Sequence, residues 1–348
     1  MATLPRPSIR PAINGLSRLL GRKPDDVLAR ATDCWEVAPG STVHVQPAAM
    51  LPGQIDRIRG SEFSTVSEVC RDFRGGFDSE HAPTMGYAFR KALLIDGVLY
   101  AGSAARHLRP RAGRRPLGLT RREGGRVTFY ESWVGNRWFG NWLSDDCLTY
   151  RLAAGEGAPV TTLTASGHQP AYERRLGMAT RRLGTGMFDE LVLFDDRSHN
   201  AGKRDRANDM RRRLVGPEPR RHGGVFLLRG TTGARRVLGN ERQIAEHLAA
   251  RRGFRVLDPS GATLEEIVDA CAGAGVVAGV EGSHLVHGLV MMPADARAFV
   301  IQPPSRAVAA LKLLTDRQGQ GYSLVVGTGG DDVFNADIDE IERTLDLA

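Results

Sequence analysis

The sequence predicts an α/β protein of two doubly wound, Rossmann-like domains facing a cleft, with an irregular N-terminal extension. Three observations predict it. From Arg126 onward, short apolar runs alternate with amphipathic stretches of helical spacing, the pattern of parallel sheets covered on both faces. One break, Gly216-Pro-Glu-Pro219, divides the alternation into two series. The length, 348 residues, suits two domains. The expected division is an extension over 1–84, an N-terminal domain over 85–216 and a C-terminal domain over 217–348.

Residues 1–80 carry little periodicity beyond short runs such as Val43-His-Val45, which allow one or two strands. Ala92–Ile95 and Val98–Tyr100 flank Asp96-Gly97, a dipeptide suited to a primed hairpin turn. Arg106 to Arg126 is dense in Arg, Gly and Pro and reads as an exposed basic loop. Strands are then expected at Val127–Tyr130, Val160–Leu163 and Leu191–Phe194, with helices at Trp138–Leu152, from Ala171 to Leu176 and at Lys203–Leu214. In the second series, Val225–Leu228, Phe254–Leu257, Gly275–Val280, Ala298–Ile301 and Ser323–Val326 are strands. Asn240…Gln243 and Thr263…Glu266 have capping-box spacing and open helices, and Ala307–Leu314 is helical.

Composition narrows the function. No apolar run is long enough to cross a membrane as a helix. The start has no apolar core with a small-residue cleavage site, so no secretory signal is expected. The four cysteines form no CxxC, which favours a reducing cytoplasm over a disulfide framework or a zinc site. The net charge is +7 and the pI about 9.6, mostly from arginine, which implies an anionic partner. A bias toward Arg, Ala and Gly accounts for the bulk of it; the arginines of interest lie at strand ends.

Three places could carry chemistry. Arg229 follows a strand, and Arg235 and Arg236 lie in the loop before Asn240. Three guanidiniums there can neutralise a diphosphate; a solvated basic turn fits the spacing equally. Glu281-Gly282-Ser283-His284, with His287, follows a buried strand, where a glycine and a helix N-terminus suit an anion. The bland alternative is a tight turn with locally bonded histidines. No third ligand joins the two histidines, so no metal is expected. Asn141-Trp142-Leu-Ser-Asp145-Asp146 opens a helix, where carboxylates ordinarily complement the dipole; the functional option makes Asp145, or Asp146, a general base.

These residues resemble glycosyltransferase family 61, which includes capsular polysaccharide biosynthesis proteins. The family pattern of an Arg after a strand, Arg-Arg, then Asn-Glu is met by Arg229, Arg235-Arg236 and Asn240-Glu241. Its later Gly-x-His-Gly-[AS]-x-Leu-x-Asn element is similar to Gly279-Val-Glu281-Gly282-Ser283-His284-Leu285-Val286-His287, followed by Pro293 and Phe299–Pro303. Asn141-Trp142-Leu143 with Asp145 looks like the family's His-Trp-Leu-x-Glu. Three positions depart: Asn141 and Glu281 replace the usual histidines, and His287 the usual asparagine. The departures suggest a bacterial branch.

The resemblance implies a GT-B-like fold and an inverting, metal-independent transfer from a nucleotide sugar, with UDP the expected nucleotide, to a glycan or lipid-linked acceptor. It implies donor contacts from Arg229, Arg235, Arg236, Asn240, Glu281, Gly282, Ser283, His284 and His287, acceptor contacts from Asn141 and Trp142, and a base in Asp145 or Asp146. A cytoplasmic enzyme is expected, with contact at the inner-membrane periphery and a homodimer both compatible. The competing class is a non-catalytic nucleic-acid binder using the arginines of 106–126 and 203–222. It lacks interleaved aromatics and any helix-turn-helix or zinc module. A dinucleotide oxidoreductase is disfavoured because no GxGxxG follows an early strand.

Overall fold

The computed structural model describes residues 6–21, 25–110, 118–216, 219–231 and 236–347. The chain forms two compact units, Met1–Pro39 with Ala82–Ser198, and Gly40–His81 with His199–Ala348.

The first unit holds β1 (Asp33–Ala38), β2 (Thr84–Ile95), β3 (Val98–Ala101), β4 (Ala104–His107), β5 (Arg122–Phe129), β6 (Ala158–Thr161), β7 (Arg181–Arg182) and β8 (Thr185–Asp195). They form one sheet in the order β7-β6-β5-β8-β2-β3-β4, with β1 also on β2. The β7-β6-β5-β8 half is parallel, in the 3-2-1-4 order of a Rossmann half-sheet. The rest is antiparallel. This corrects the expected doubly wound domain, and the reason is local: the Asp96-Gly97 hairpin forms, with φ of 48° and 76°, and it builds antiparallel strands onto the parallel half. Phe89, Phe129, Phe188 and Leu191 form the core under the sheet, each burial stabilising by about 1.5–3 kcal/mol.

The second unit centres on a parallel sheet of β9 (His222–Leu227), β10 (Arg255–Leu257), β11 (Ala274–Val280), β12 (Arg297–Gln302) and β13 (Gly321–Val326), in the order β10-β9-β11-β12-β13. That is the doubly wound 2-1-3-4-5 order, and its switch point lies between β9 and β11. The buried runs Val225–Leu227 and Val277–Val280 are apolar without alternation because both faces are covered. The Thr263–Glu266 capping box forms at the helix Leu264–Cys271.

Other expectations are corrected. Residues 40–81 belong with the second unit. Ala49 bonds Tyr322 and Leu324 through its backbone, and Phe73 stacks on Tyr322 at 6.0 Å. The helix Val66–Arg74 there has a Thr65–Glu68 capping box, a spacing legible in the sequence. The helix Ala201–Val215 also belongs with the second unit, where Arg211 Nε donates to the carbonyls of Met291 and Met292. The basic segment 106–126 is largely strand where it is described, and 111–117 fall outside the described residues. Three of its described arginines are paired: Arg106 with Asp26 at 2.7 Å, Arg122 with Asp189 at 2.9 Å, Arg126 with Glu156 at 2.9 Å. Asn240 caps no helix through its side chain. Its amide instead donates to Ala336 O at 2.7 Å and accepts from Ala336 N at 3.2 Å.

Candidate functional site

The sheet register of the second unit sets two loops side by side. Leu227 of β9 pairs with Gly279 of β11. Two residues on, Arg229 and Glu281 therefore leave adjacent strands at the same level, at the carboxyl ends where such sheets take ligands. The Arg229 loop is pinned from below: the Glu241 carboxylate, at the start of the helix Glu241–Arg252, accepts from the backbone N–H of Arg229 and of Gly230, both at 2.8 Å. Arg229 Nη1 donates to the Arg236 carbonyl at 3.1 Å. Arg236 Nη2 then lies 2.9 Å from Glu281 Oε2, a charge contact whose angle is too poor for a hydrogen bond. Arg229, Arg236 and Glu281 are all buried.

Electrostatics favour an incoming anion. Burial pushes the Glu281 carboxyl up to about 8, against the pull of Arg229 and with the help of Glu62. Near neutral pH it is mostly protonated, so the two guanidiniums are not cancelled. Arg236 Nε is buried with no hydrogen-bond partner among the described residues, a donor that costs free energy until an acceptor arrives. Burial and the Arg229 charge push the His284 imidazole down to about 3, so His284 is a neutral polar group here. Gly282 has φ of 157°, and a Cβ there would lie 3.0 Å from His284 Nδ1 and 3.5 Å from Arg229 Nε. Only glycine fits this approach.

The helix expected after Gly282 is reduced to a 3-10 turn at Ser283–Leu285 and one α turn at Val286–Leu289. Its dipole is small, so the positive field comes from the arginines instead. Ser283 is half-buried at that turn and His287 is buried in it. Asn240 is engaged by Ala336 and acts on the loop path. Arg235 lies outside the described residues. Two groups escaped the sequence reading. The Asn240-Glu241 motif marks Glu241 but does not tell that its carboxylate holds the Arg229 loop. The pair Glu62–Arg306 adds a charge on either side of the cluster, and nothing in the sequence links position 62 to it.

The other candidates lie in the first unit, at the carboxyl end of β5. Trp142 is in the core, packed against Phe139 and Tyr172 at 5.9 and 6.3 Å between ring centroids, and is not a surface contact. Residues Trp142–Asp146 form a π-helical turn, a form frequent at functional sites. Asp146 is buried, and its carboxylate accepts from Ser132 N at 3.1 Å and Ser132 Oγ at 2.7 Å. Burial raises its carboxyl well above the usual range. Asp146 thus tethers the loop after β5, and Gly135 packs so closely on it that a side chain would strike the carboxylate. Asp145 is half-buried, with Asn141 Nδ2 donating to its Oδ2 at 3.1 Å. Glu131 ties the same loop to the next strand, accepting from Asn136, Thr161 and Thr162.

The family model of glycosyltransferase 61 matches residues 125–298. The chain belongs to that family. The match spans half of the sequence, from within β5 to within β12, and covers both loop clusters just described. No curated protein matches the chain. This family 61 protein is a glycosyltransferase, with a nucleotide-sugar donor and a glycan acceptor as its substrates. A nucleic-acid-binding role finds no support. Several described arginines of the proposed patches are tied up in ion pairs, Arg212 and Arg213 with Asp209 and Arg221 with Asp295 among them. Among the described residues no helix is long and apolar enough to cross a membrane, and no three His, Cys, Asp or Glu side chains group as metal ligands.

Proposed function

We propose that this glycosyltransferase inverts the anomeric centre without a metal, takes a UDP-sugar in its second unit and a glycan or lipid-linked acceptor in its first, and builds surface or capsular glycan in a bacterial cytoplasm near the inner membrane. The observation that carries this is the meeting of Arg229 and Arg236, both buried, at the switch point of the parallel sheet. In a single displacement, Asp145 takes the proton from the acceptor hydroxyl. The freed oxygen pair forms the new bond at the anomeric carbon, opposite the leaving group. The old C–O bond breaks, and its electrons pass to the diphosphate. The transition state has oxocarbenium character, and fixed guanidiniums stabilise the charge growing on the diphosphate. The bacterial and capsular assignment rests on Asn141, Glu281 and His287, which depart from the family pattern. The net charge of +7 suits an anionic membrane surface.

A thermal-shift panel of nucleoside diphosphates, run with and without EDTA, tests the donor half. UDP raises Tm, and the rise survives chelation; no rise with any diphosphate, or a rise abolished by EDTA, overturns the proposal. Asp145→Asn tests the base. Loss of a general base costs on the order of 100-fold or more in kcat, while the UDP-induced shift in Tm stays as in the native chain. A variant with native turnover moves the base elsewhere.

A further inference from the structure

A pocket of about 340 Å³ opens in the first unit, lined among others by Asn136, Arg137, Trp138, Phe139, Ser166 and His168. It lies where the loops after β5 and β6 meet, again at the carboxyl ends of parallel strands. The chain is poor in aromatics, at 6%, yet three of its four tryptophans fall at 133, 138 and 142. Trp142 is in the core, but Trp138 and Phe139 are only half-buried at the pocket wall. The loop that carries them is braced from within: Asp146 holds Ser132, and Glu131 holds Asn136. Two carboxylates in the core thus preset an aromatic surface.

Three polar features point to a hydroxylated, negatively charged ring. The buried Asn136 Oδ1 has no hydrogen-bond partner among the described residues, although Asn136 Nδ2 has two, Leu108 O and Glu131. A buried acceptor without a donor costs about 1–3 kcal/mol until a hydroxyl fills it. Arg137 lies over the Trp138 ring, 4.5 Å from its centroid. Its guanidinium is exposed and meets no carboxylate among the described residues, and no Asp or Glu lines the pocket. We propose that this pocket is a sugar-binding site: Trp138 takes the apolar face of a pyranose, Asn136 accepts from a ring hydroxyl, and Arg137 meets a carboxylate on the sugar. The ligand class is therefore a uronic-acid type of glycan unit. Only its title of acceptor rests on the transferase mechanism proposed above; sugar binding here stands by itself.

The probes are methyl β-D-glucuronide and methyl β-D-glucoside, followed by saturation-transfer NMR on the full chain. Both receive saturation on ring C–H protons, and the glucuronide binds about threefold tighter, as an exposed ion pair allows. Trp138→Ala abolishes transfer to both, Trp138→Phe retains part of it, and Arg137→Ala equalises the two sugars. The UDP-induced shift in Tm is the same in all three variants. If neither sugar receives saturation, if the two bind equally to the native chain, or if Trp138→Ala binds normally, the proposal is overturned. Sugar binding without any UDP response instead overturns the donor site and leaves this one standing.

Discussion

Raising the pH from 8 to 9 weakens UDP binding about fivefold in the native chain and leaves the affinity of Glu281→Gln unchanged. The Glu281 carboxyl titrates at about 8 because it is buried; Arg229 only partly offsets that, and Glu62 works in the same direction as burial. The other groups around it are Arg236 in contact, Arg306 and Glu241 acting on Arg229, the neutral His284, and Tyr322, whose hydroxyl bonds Gln302. Below pH 8 the protonated carboxyl leaves two guanidiniums to the diphosphate. Above it, a phosphate must bind beside a carboxylate or carry in one proton; from the midpoint at about 8 to pH 9 the protonated fraction falls about fivefold, and the affinity falls with it. Glutamine imitates the protonated form, so its affinity stays level. The stability effect has a definite sign. An unfolded carboxyl titrates near 4.5 and the folded one near 8, so the folded state binds the extra proton between these values. Glu281 therefore lowers stability as pH rises through that window, and Glu281→Gln removes this slope. Isothermal titration with UDP at pH 7, 8 and 9 checks the binding part. Equal slopes in the two proteins would falsify it.

Arg236→Ala loses UDP binding and lowers kcat by about 100- to 1,000-fold, the range for removing one preorganised donor from a developing oxyanion. The substitution deletes the guanidinium whose Nε lacks a partner, together with the charge next to Glu281. It leaves the loop in place, because Glu241 holds the backbone of Arg229 and Gly230, and Arg229 reaches the carbonyl of residue 236 rather than its side chain. Circular dichroism then shows an unchanged fold. Arg236→Lys keeps the charge but not the planar fork, and recovers only part of the activity. Near-native turnover in Arg236→Ala, with its fold confirmed, removes Arg236 from the diphosphate site.

Most of the second unit was legible in the residues. Its strands read as unbroken apolar runs because both faces of a parallel sheet are covered, and the Thr263–Glu266 cap was readable from spacing. The Asp96-Gly97 turn was equally local. Asn240 misled because an amide three residues before Gln243 has capping spacing, yet a backbone partner 96 positions away won it. The tryptophans of 138 and 142 show the same limit. Both lie in one motif, but the π-helical turn and the packing on Tyr172 send Trp142 into the core and leave Trp138 half-exposed.

Periodicity, turn chemistry and the order of two arginine and glycine motifs were enough to specify the α/β class, the sheet-end loops and family 61 membership. Pairing across long separations was not, because no local pattern encodes it. The tertiary structure alone placed 40–81 with the second unit, joined Glu62 to Arg306, and tied Asp146 to Ser132. It also put Glu281 in a dry setting beside two guanidiniums. Whether a carboxylate ionises depends on the water and charges around it, and only the folded chain sets those.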